Sequence, residues 1–209
     1  MYWPQGETMK TTLKRIVLHG QDIIPLLQRV ITQDINQCTQ PTLSAICNAK
    51  GKVDAIFWVQ HTTDTVLWVD QSLVTSLLQK LRHFDPFCQL QFHIENQVVW
   101  SNEDFQFSEK AEPSKTPWDV FLIQQGILTL TTDLQGKYTP HMLNLDKLNA
   151  ICLSKGCFVG YEFITKTQYK GRTKRRLCYI NTPSKDDQAL ATVEYNQTYH
   201  QLVLISEST

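Results

Sequence analysis

Three short apolar runs between residues 43 and 70 constrain the fold of this chain more than any other feature. LSAICN, VDAIFWVQ and TVLWVD each have the length of a strand, and the turn signals Lys50-Gly51 and Thr62-Thr63-Asp64 separate them. Strands joined by connections this short pair antiparallel with their neighbours in the chain. We therefore predict an antiparallel β-meander at the centre of the fold.

Further helices and strands flank this meander, without the strand-helix-strand regularity of a parallel sheet. The pattern predicts an α+β fold that ends in a short β-rich C-terminal part. Apolar spacing predicts helices over 22–31 and 72–81, from Trp118 up to Gly126, and from about residue 146. Strands are expected at 12–18 and 90–94, with hairpins formed by 161–169 and 172–180 around Lys170-Gly171 and by 189–195 and 199–205.

The segment SNEDFQFSEKAEPSKTP, residues 101–117, divides the chain. It holds four acids and two prolines and has little periodicity, which is typical of a linker. We therefore predict three parts. They are an N-terminal α+β part at 1–100, the linker at 101–117, and a C-terminal part at 118–209 with a helix, a glycine-rich motif and the β-rich end.

Composition excludes several classes of protein. The chain has 209 residues and 42% hydrophobic residues, enough to bury a core without disulfides. Its uninterrupted apolar stretches reach only four or five residues, far below the roughly 20 that cross a bilayer. The first residues, MYWPQGETMKTTLKR, lack the apolar segment of a secretory signal. We expect a cytoplasmic protein without membrane contact, whose six cysteines are free thiols.

Charge is concentrated in one place. The 20 basic and 20 acidic residues cancel, but Lys155 to Arg176 holds seven basic residues and one acid, Glu162. That segment carries +6, so the rest of the chain sums to −6. A polarised chain of this kind is predicted to attract an anionic partner.

The same segment carries the most specific pattern in the chain. It begins with KGCFVG and continues through Glu162 into a basic run, YKGRTKRR. This pattern resembles the signature of the YgfZ family of folate-binding proteins, which is K-G-C-[YF]-x-G-Q-E followed by a basic R-G-x-x-K-R element. The matching motif positions are Lys155, Gly156, Cys157, Phe158, Gly160, Glu162, Tyr169, Lys170, Gly171, Arg172, Lys174, Arg175 and Arg176.

Weaker matches follow in the family's order. They are Gly20-x-Asp22, Leu27-Gln28, Thr32-x-Asp34, Lys50-Gly51-Lys52, Trp118 with Gly126 eight residues later, and Pro140-His141-Met142-x-Asn144-Leu145. The resemblance thus covers about residues 13–180 and implies a shortened member of the family. Three positions depart from its pattern: Tyr161 replaces a Gln, Arg29 a Gly, and Leu13 a Trp that the family offers to folate.

The resemblance implies a tetrahydrofolate-binding accessory protein rather than a turnover enzyme. Such proteins support iron-sulfur enzymes, including tRNA-thiolating ones, and thereby tRNA modification, with the motif cysteine, here Cys157, as the working thiol. Trp118 would stack on the pterin, while Lys170 and Arg172 would meet the anionic tail of the folate. No stably bound metal is expected, because C-x4-C at Cys152 and Cys157 is not a metal-site spacing.

Other interpretations stay open at this point. Cys157 alone would more often be a small buried hydrophobe, Trp118 a core anchor, and the basic run a protected edge strand. A folate-dependent aminomethyltransferase of the glycine-cleavage type is an alternative function, and an acid at Asp54 would support it. A third alternative is a degenerate module that has lost folate and keeps its basic hairpin for RNA or protein.

Overall fold

The computed structural model describes residues 8–85, 89–109 and 114–206. Its centre is a five-stranded antiparallel sheet with the strand order β3-β4-β5-β2-β6, so the predicted meander and the α+β class are confirmed. The strands are β2 (Leu13–His19), β3 (Thr42–Cys47), β4 (Val53–His61), β5 (Thr65–Asp70) and β6 (Gln91–Glu95).

The middle strands of this sheet are covered on both faces. In β4 all seven residues from Val53 to Val59 are buried. Successive side chains of a strand point to opposite faces of the sheet, so burial of consecutive residues means that both faces are covered. Trp58 of β4 pairs with Trp68 of β5 and with Leu43 of β3. Large rings and branched side chains on neighbouring strands therefore fix the register of the meander.

Four helices in the described part of the chain place apolar side chains in the core. Leu26, Leu27 and Val30 are buried on the first, and Leu77, Leu78 and Leu81 on the second, at the spacing of one helix face. None of the helices in the described part of the chain is long and apolar enough to cross a membrane. The helices are α1 (Ile23–Val30), α2 (Val74–His83), α3 (Trp118–Gln124) and α4 (Tyr161–Lys170).

Two small antiparallel sheets complete the fold. In the C-terminal sheet, of order β10-β11-β9, the hairpin predicted over 189–205 is present, and α3 packs against β10 and β11. The other sheet, of order β1-β7-β8, draws three residues, Ser101, Phe107 and Ser108, from the segment predicted as a linker. The strands are β1 (Met9–Lys10), β7 (Trp100–Ser101), β8 (Phe107–Ser108), β9 (Arg175–Thr182), β10 (Ala191–Tyr195) and β11 (Thr198–Ser206).

The division at 101–117 stays a prediction, since residues 110–113 lie outside the described part of the chain. What the structure adds is that Phe105 and Phe107 of this segment pack on Trp58, with ring centroids 5.4 and 5.6 Å apart. At least part of the segment therefore adheres to the core rather than running free over the surface.

The basic hairpin predicted around Lys170-Gly171 is wrong. Residues 161–170 form α4 instead, and β9 pairs with β11. Gly171 has an extended backbone rather than the turn conformation that a hairpin needs. The spacing of Tyr161, Ile164 and Gln168 is a helical signal. The threonines of this segment have a high strand propensity that obscures the signal, and the burial of Ile164 outweighs this propensity.

The helix predicted from about residue 146 is also absent. Residues 139–149 form successive turns, in which Asn144 and Asn149 adopt positive φ values of 58° and 53°. A continuous helix cannot contain residues in the left-handed conformation. Asparagine tolerates this conformation better than most residues, so the two asparagines end the helical pattern of Leu145, Leu148 and Ile151.

Candidate functional site

The candidate site is built where the motif loop at 150–160 meets the chain after α1. Thr32 joins them and is fully buried. Its hydroxyl donates to the carbonyl oxygen of Ala150 at 2.6 Å, and its carbonyl accepts from the Cys152 N–H at 2.9 Å. On its other side Thr32 exchanges hydrogen bonds with Ala45 of β3. One residue thus ties the motif loop to the central sheet.

Lys155, the first residue of the motif, points into this junction. Its Nζ donates to the carbonyl oxygen of Gln28 at 2.6 Å and lies 5.1 Å from the centre of the Phe158 ring. Burial lowers the pKa of Lys155 to about 8, although Asp34, Cys152 and Cys38 act in the opposite direction. Lys155 therefore organises the inside of the site rather than its surface.

Asp34 is a second charged group of the junction and acts electrostatically on Lys155. Gln28 donates to its carboxylate at 2.9 Å, and the backbone N–H of Asn36 at 3.1 Å. Burial opposes ionisation, but these hydrogen bonds hold the pKa of Asp34 below its ordinary value. The signature segments at 27–34 and 155–160 are thus in direct contact, which sequence spacing alone does not reveal.

A second contact fixes the other end of the motif loop. Gly160 adopts φ 84° and starts α4, directly against the Lys50-Gly51 turn. A Cβ on Gly160 would lie 2.8 Å from the carbonyl oxygen of Asn48 and 2.9 Å from the Cα of Gly51. Only glycine combines this φ with so close an approach of two backbones. A third signature segment, the K-G-K turn, therefore also converges on the loop.

Cys157 lies between these two anchored ends and is exposed. The neighbouring Gly156 also has a positive φ, 103°, and a Cβ there would meet nothing within 4 Å. Cys38 and Cys47 are buried, which raises the pKa of Cys38 to about 11 and raises that of Cys47 as well. Cys152 and Cys178 are half-buried, and Cys88 lies outside the described residues.

Metal ligands do not gather at this loop. Within residues 8–85, 89–109 and 114–206, no group of three His, Cys, Asp or Glu side chains is placed to hold a metal ion. Cys152 contacts the Ser154 hydroxyl at 3.3 Å. The loop therefore offers an accessible thiol on an ordered support.

The predicted cations fall into two groups, one engaged inside the molecule and one exposed. Arg176 makes a two-pronged ion pair with Asp146, at 2.9 Å for both nitrogens, and donates to the carbonyl oxygen of His141 at 2.8 Å. Burial opposes it, but Arg176 holds the pKa of Asp146 below its ordinary value. Arg176 thus fastens β9 to the turns at 139–149. The remaining predicted cations, Lys170, Arg172, Lys174 and Arg175, are exposed.

Trp118 lies in the core, 3% exposed, at the start of α3. Its ring contacts Trp58, Phe105, Phe107 and Phe121 with centroids 5.8 to 6.5 Å apart. Its indole N–H has no hydrogen-bond partner among the described residues. The cavity beside it has a volume of only about 20 Å³. Within the described ranges, no ring contact or hydrogen bond joins Trp118 to Lys170 or Arg172.

Asp54, the acid that would serve an aminomethyltransferase, is already engaged. It is 7% exposed, and the Lys80 ammonium lies 2.8 Å from its carboxylate. Gln135 further donates to the Asp54 carbonyl oxygen at 2.6 Å. The arrangement stabilises α2 against β4 and does not favour Asp54 as a free base.

The sequence has distant curated relatives. The chain is 25% identical over 222 residues to the tRNA-modifying protein YgfZ of Colwellia psychrerythraea, covering 80% of this chain and 68% of that protein. It is 23% identical over 215 residues to the protein of the same name from Aliivibrio fischeri, covering 79% and 68%. An uncharacterised protein of Haemophilus influenzae is 25% identical over 206 residues, covering 85% and 74%. No protein-family model matches.

A solved structure shares the fold. The aminomethyltransferase T of the glycine cleavage system from Bartonella henselae superposes with a TM-score of 0.70, covering 96% of this chain and 78% of that one. The sequence identity in this comparison is 11%. This similarity shows the architecture alone, since a fold does not carry a reaction with it.

The exposure of the thiols predicts their order of alkylation. With iodoacetamide at about pH 8, near the ordinary thiol pKa, Cys157 should react first in the folded protein, because a reagent reaches it directly. Cys38 and Cys47 should react only on unfolding, because both are buried and their pKa values are raised. Peptide mass spectrometry measures each rate. Half-buried Cys178 is the internal reference, and a Cys157 rate below it would contradict the description of the loop.

Proposed function

We propose, since the chain is a distant relative of the YgfZ proteins built on the aminomethyltransferase fold, that it is a folate-binding accessory protein. It supports the assembly or repair of iron-sulfur clusters and thereby tRNA modification. Cys157 is its working thiol, and its clients are iron-sulfur enzymes such as tRNA-thiolating proteins. The chain acts on these clients without carrying out turnover chemistry of its own.

The contact of two other signature segments, 27–34 and the Lys50-Gly51 turn, with the motif loop is the observation that carries this proposal. Thr32, Lys155 and Gly160 hold the loop by buried contacts, while Cys157 between them stays exposed. A cysteine kept for packing would be buried, as Cys38 and Cys47 are. An ordered loop that presents a thiol to solvent suits a cysteine that reacts with a partner protein.

The chemistry at Cys157 follows from its exposure. The thiolate, not the thiol, binds iron, so the Cys157 proton must leave to solvent first. The client's cluster is the cargo of this step: one of its irons accepts the sulfur lone pair as the Fe–S bond forms, and the ligand that held that position returns to the client or to solvent. The loop contributes position, because its anchored ends limit the directions in which the sulfur can approach a partner.

Trp118 is the predicted contact for the pterin, so the cavity beside it determines whether tetrahydrofolate fits there. The unpartnered indole N–H and the Asp70 carboxylate, which lines the same cavity, suit the polar edge of a pterin. The volume does not fit, because about 20 Å³ holds little more than one water. Contact between a pterin and Trp118 therefore requires side chains that line this cavity to move.

Folate binding by Trp118 is tested with a substitution that spares the core. Trp118→Ala would remove a large buried ring and destabilise the fold by about 3 to 5 kcal/mol, so Trp118→Phe is the better variant. If the indole N–H meets the ligand, Trp118→Phe should weaken tetrahydrofolate binding by about 1 kcal/mol. Calorimetric titration measures this, with Trp100→Phe on β7 as the control. Equal affinity of both variants would exclude Trp118, and no binding by the unaltered chain would exclude folate.

The role of the thiol is tested in cells that lack their own copy of this protein. Cys157→Ser should abolish rescue of a thiolated tRNA nucleoside, measured by mass spectrometry, because a hydroxyl neither binds iron nor attacks sulfur at neutral pH. Cys178→Ser is the matched control and should rescue fully. Thermal unfolding of both proteins should match that of the unaltered chain. Full rescue by Cys157→Ser would contradict the proposed function of the motif.

A further inference from the structure

We propose that the outer face of α4 is a binding surface for single-stranded RNA. Residues 161–170 form a helix with one buried side and one exposed side. Ile164, 2% exposed, marks the buried side. At 100° per residue, Lys166 and Glu162 lie about 160° from Ile164, Tyr169 about 140° and Lys170 about 120°, while Phe163 lies about 100° away. The outer face is therefore defined by Glu162, Lys166, Tyr169 and Lys170, with Phe163 at its edge.

Exposed aromatic rings are the first observation that points to nucleic acid. Tyr169 is 74% exposed and Phe163 is 51% exposed. Two large rings are thus exposed on one helix of ten residues. Every nucleobase offers a flat face, so a ring held in solvent among cations suits base stacking.

The charge of this region is the second observation. Lys166 and Lys170 lie on the outer face, and Arg172, Lys174 and Arg175 follow it, all exposed. Lys155 and Arg176, the other two basic residues of the segment, are engaged with Gln28 and Asp146 inside the molecule. The five exposed cations stand against the single acid Glu162 of the helix, which gives a positive strip suited to a phosphate backbone.

The helix is also held rigidly enough to present this face. The Lys50-Gly51 turn lies under Phe163, where a Cβ on Gly51 would be 2.8 Å from the Phe163 Cβ. Toward the other end, the Gln168 side chain meets buried His141 Nε2 at 2.8 Å. Ten residues span about 15 Å, the length of a few nucleotides rather than of a duplex groove. We therefore assign an unpaired RNA segment as the partner.

This assignment rests on the proposed function and extends it. The accessory protein would hold the RNA whose modification it supports. Binding itself needs neither Cys157 nor folate. If RNA does not bind but Cys157 is needed in cells, only the RNA proposal fails. If RNA binds but Cys157 is not needed, only the proposed function of the thiol fails.

The test measures the binding of a fluorescent single-stranded RNA of about 12 nucleotides, within the usual site size, to the full chain by anisotropy. Tyr169→Ala should weaken binding about fivefold or more, whereas Tyr169→Phe, which keeps the ring, should stay within about twofold. The pair Lys166→Gln with Lys170→Gln should lower the slope of log affinity against log salt by about 1.4, because two phosphate contacts are lost. Lys185→Gln, an exposed lysine on the loop between β9 and β10, is the control and should leave the slope unchanged.

A second comparison leaves the protein unaltered. The same oligonucleotide with abasic sites should bind about tenfold less tightly, because it keeps its phosphates and loses its stacking faces. Equal binding of the abasic strand, of a base-paired duplex, or of a polyglutamate peptide of the same charge would overturn the assignment, the last in favour of an acidic protein partner. Equal effects of Tyr169→Ala and Tyr169→Phe would overturn it as well.

Discussion

The hydrogen bonds of Thr32 are the constraint on which the site depends. This residue is fully buried, and its amide, carbonyl and hydroxyl groups each have partners, in Ala45 of the central sheet and in Ala150 and Cys152 of the motif loop. Leaving any of them unpaired in the core would cost about 1 to 3 kcal/mol. The loop can therefore not leave the sheet without breaking several buried bonds together. With Gly160 pressed on the Lys50-Gly51 turn, this places both ends of the loop and leaves only its tip in solvent.

The basic segment divides its charges between two tasks. Lys155 and Arg176 are used internally, one to organise the junction with Gln28 and one to fasten β9 through Asp146. The exposed cations of α4 lie on the side away from Ile164, and the other exposed cations follow in the chain after the helix. Function is then separated in space: the thiol belongs to the loop before α4, and the positive surface belongs to the helix and the chain after it. Gly160 joins the two, because it ends the loop and begins the helix.

The sequence predicts the meander and the C-terminal hairpin because their signals are local, with short apolar runs and turn residues beside one another. It fails at α4, where threonine-rich strand propensity competes with burial of Ile164, and at residues 139–149, where two asparagines in the left-handed conformation interrupt a helical pattern. Cys157 could be named from its motif, but the contacts that support it could not. Thr32 and Ala150 are 118 positions apart, and no periodicity shows that they meet. Trp118 shows the same limit, because its motif does not reveal the ring cluster around it.

Native-state hydrogen exchange tests the central claim that a rigidly anchored loop presents Cys157. The amides of Cys152 and Val159, which donate to the carbonyls of Thr32 and Arg29, should exchange as slowly as those of β4, while Gly156 and Cys157 exchange fast. In Gly160→Ala the slow amides should lose protection, because the new Cβ cannot fit against Asn48 and Gly51. Gly156→Ala also strains the backbone, because φ is 103° there, but its Cβ meets open space at the exposed tip, so these amides should stay better protected than in Gly160→Ala. Fast exchange throughout 150–160 in the folded protein, or equal effects of the two substitutions, would contradict this description.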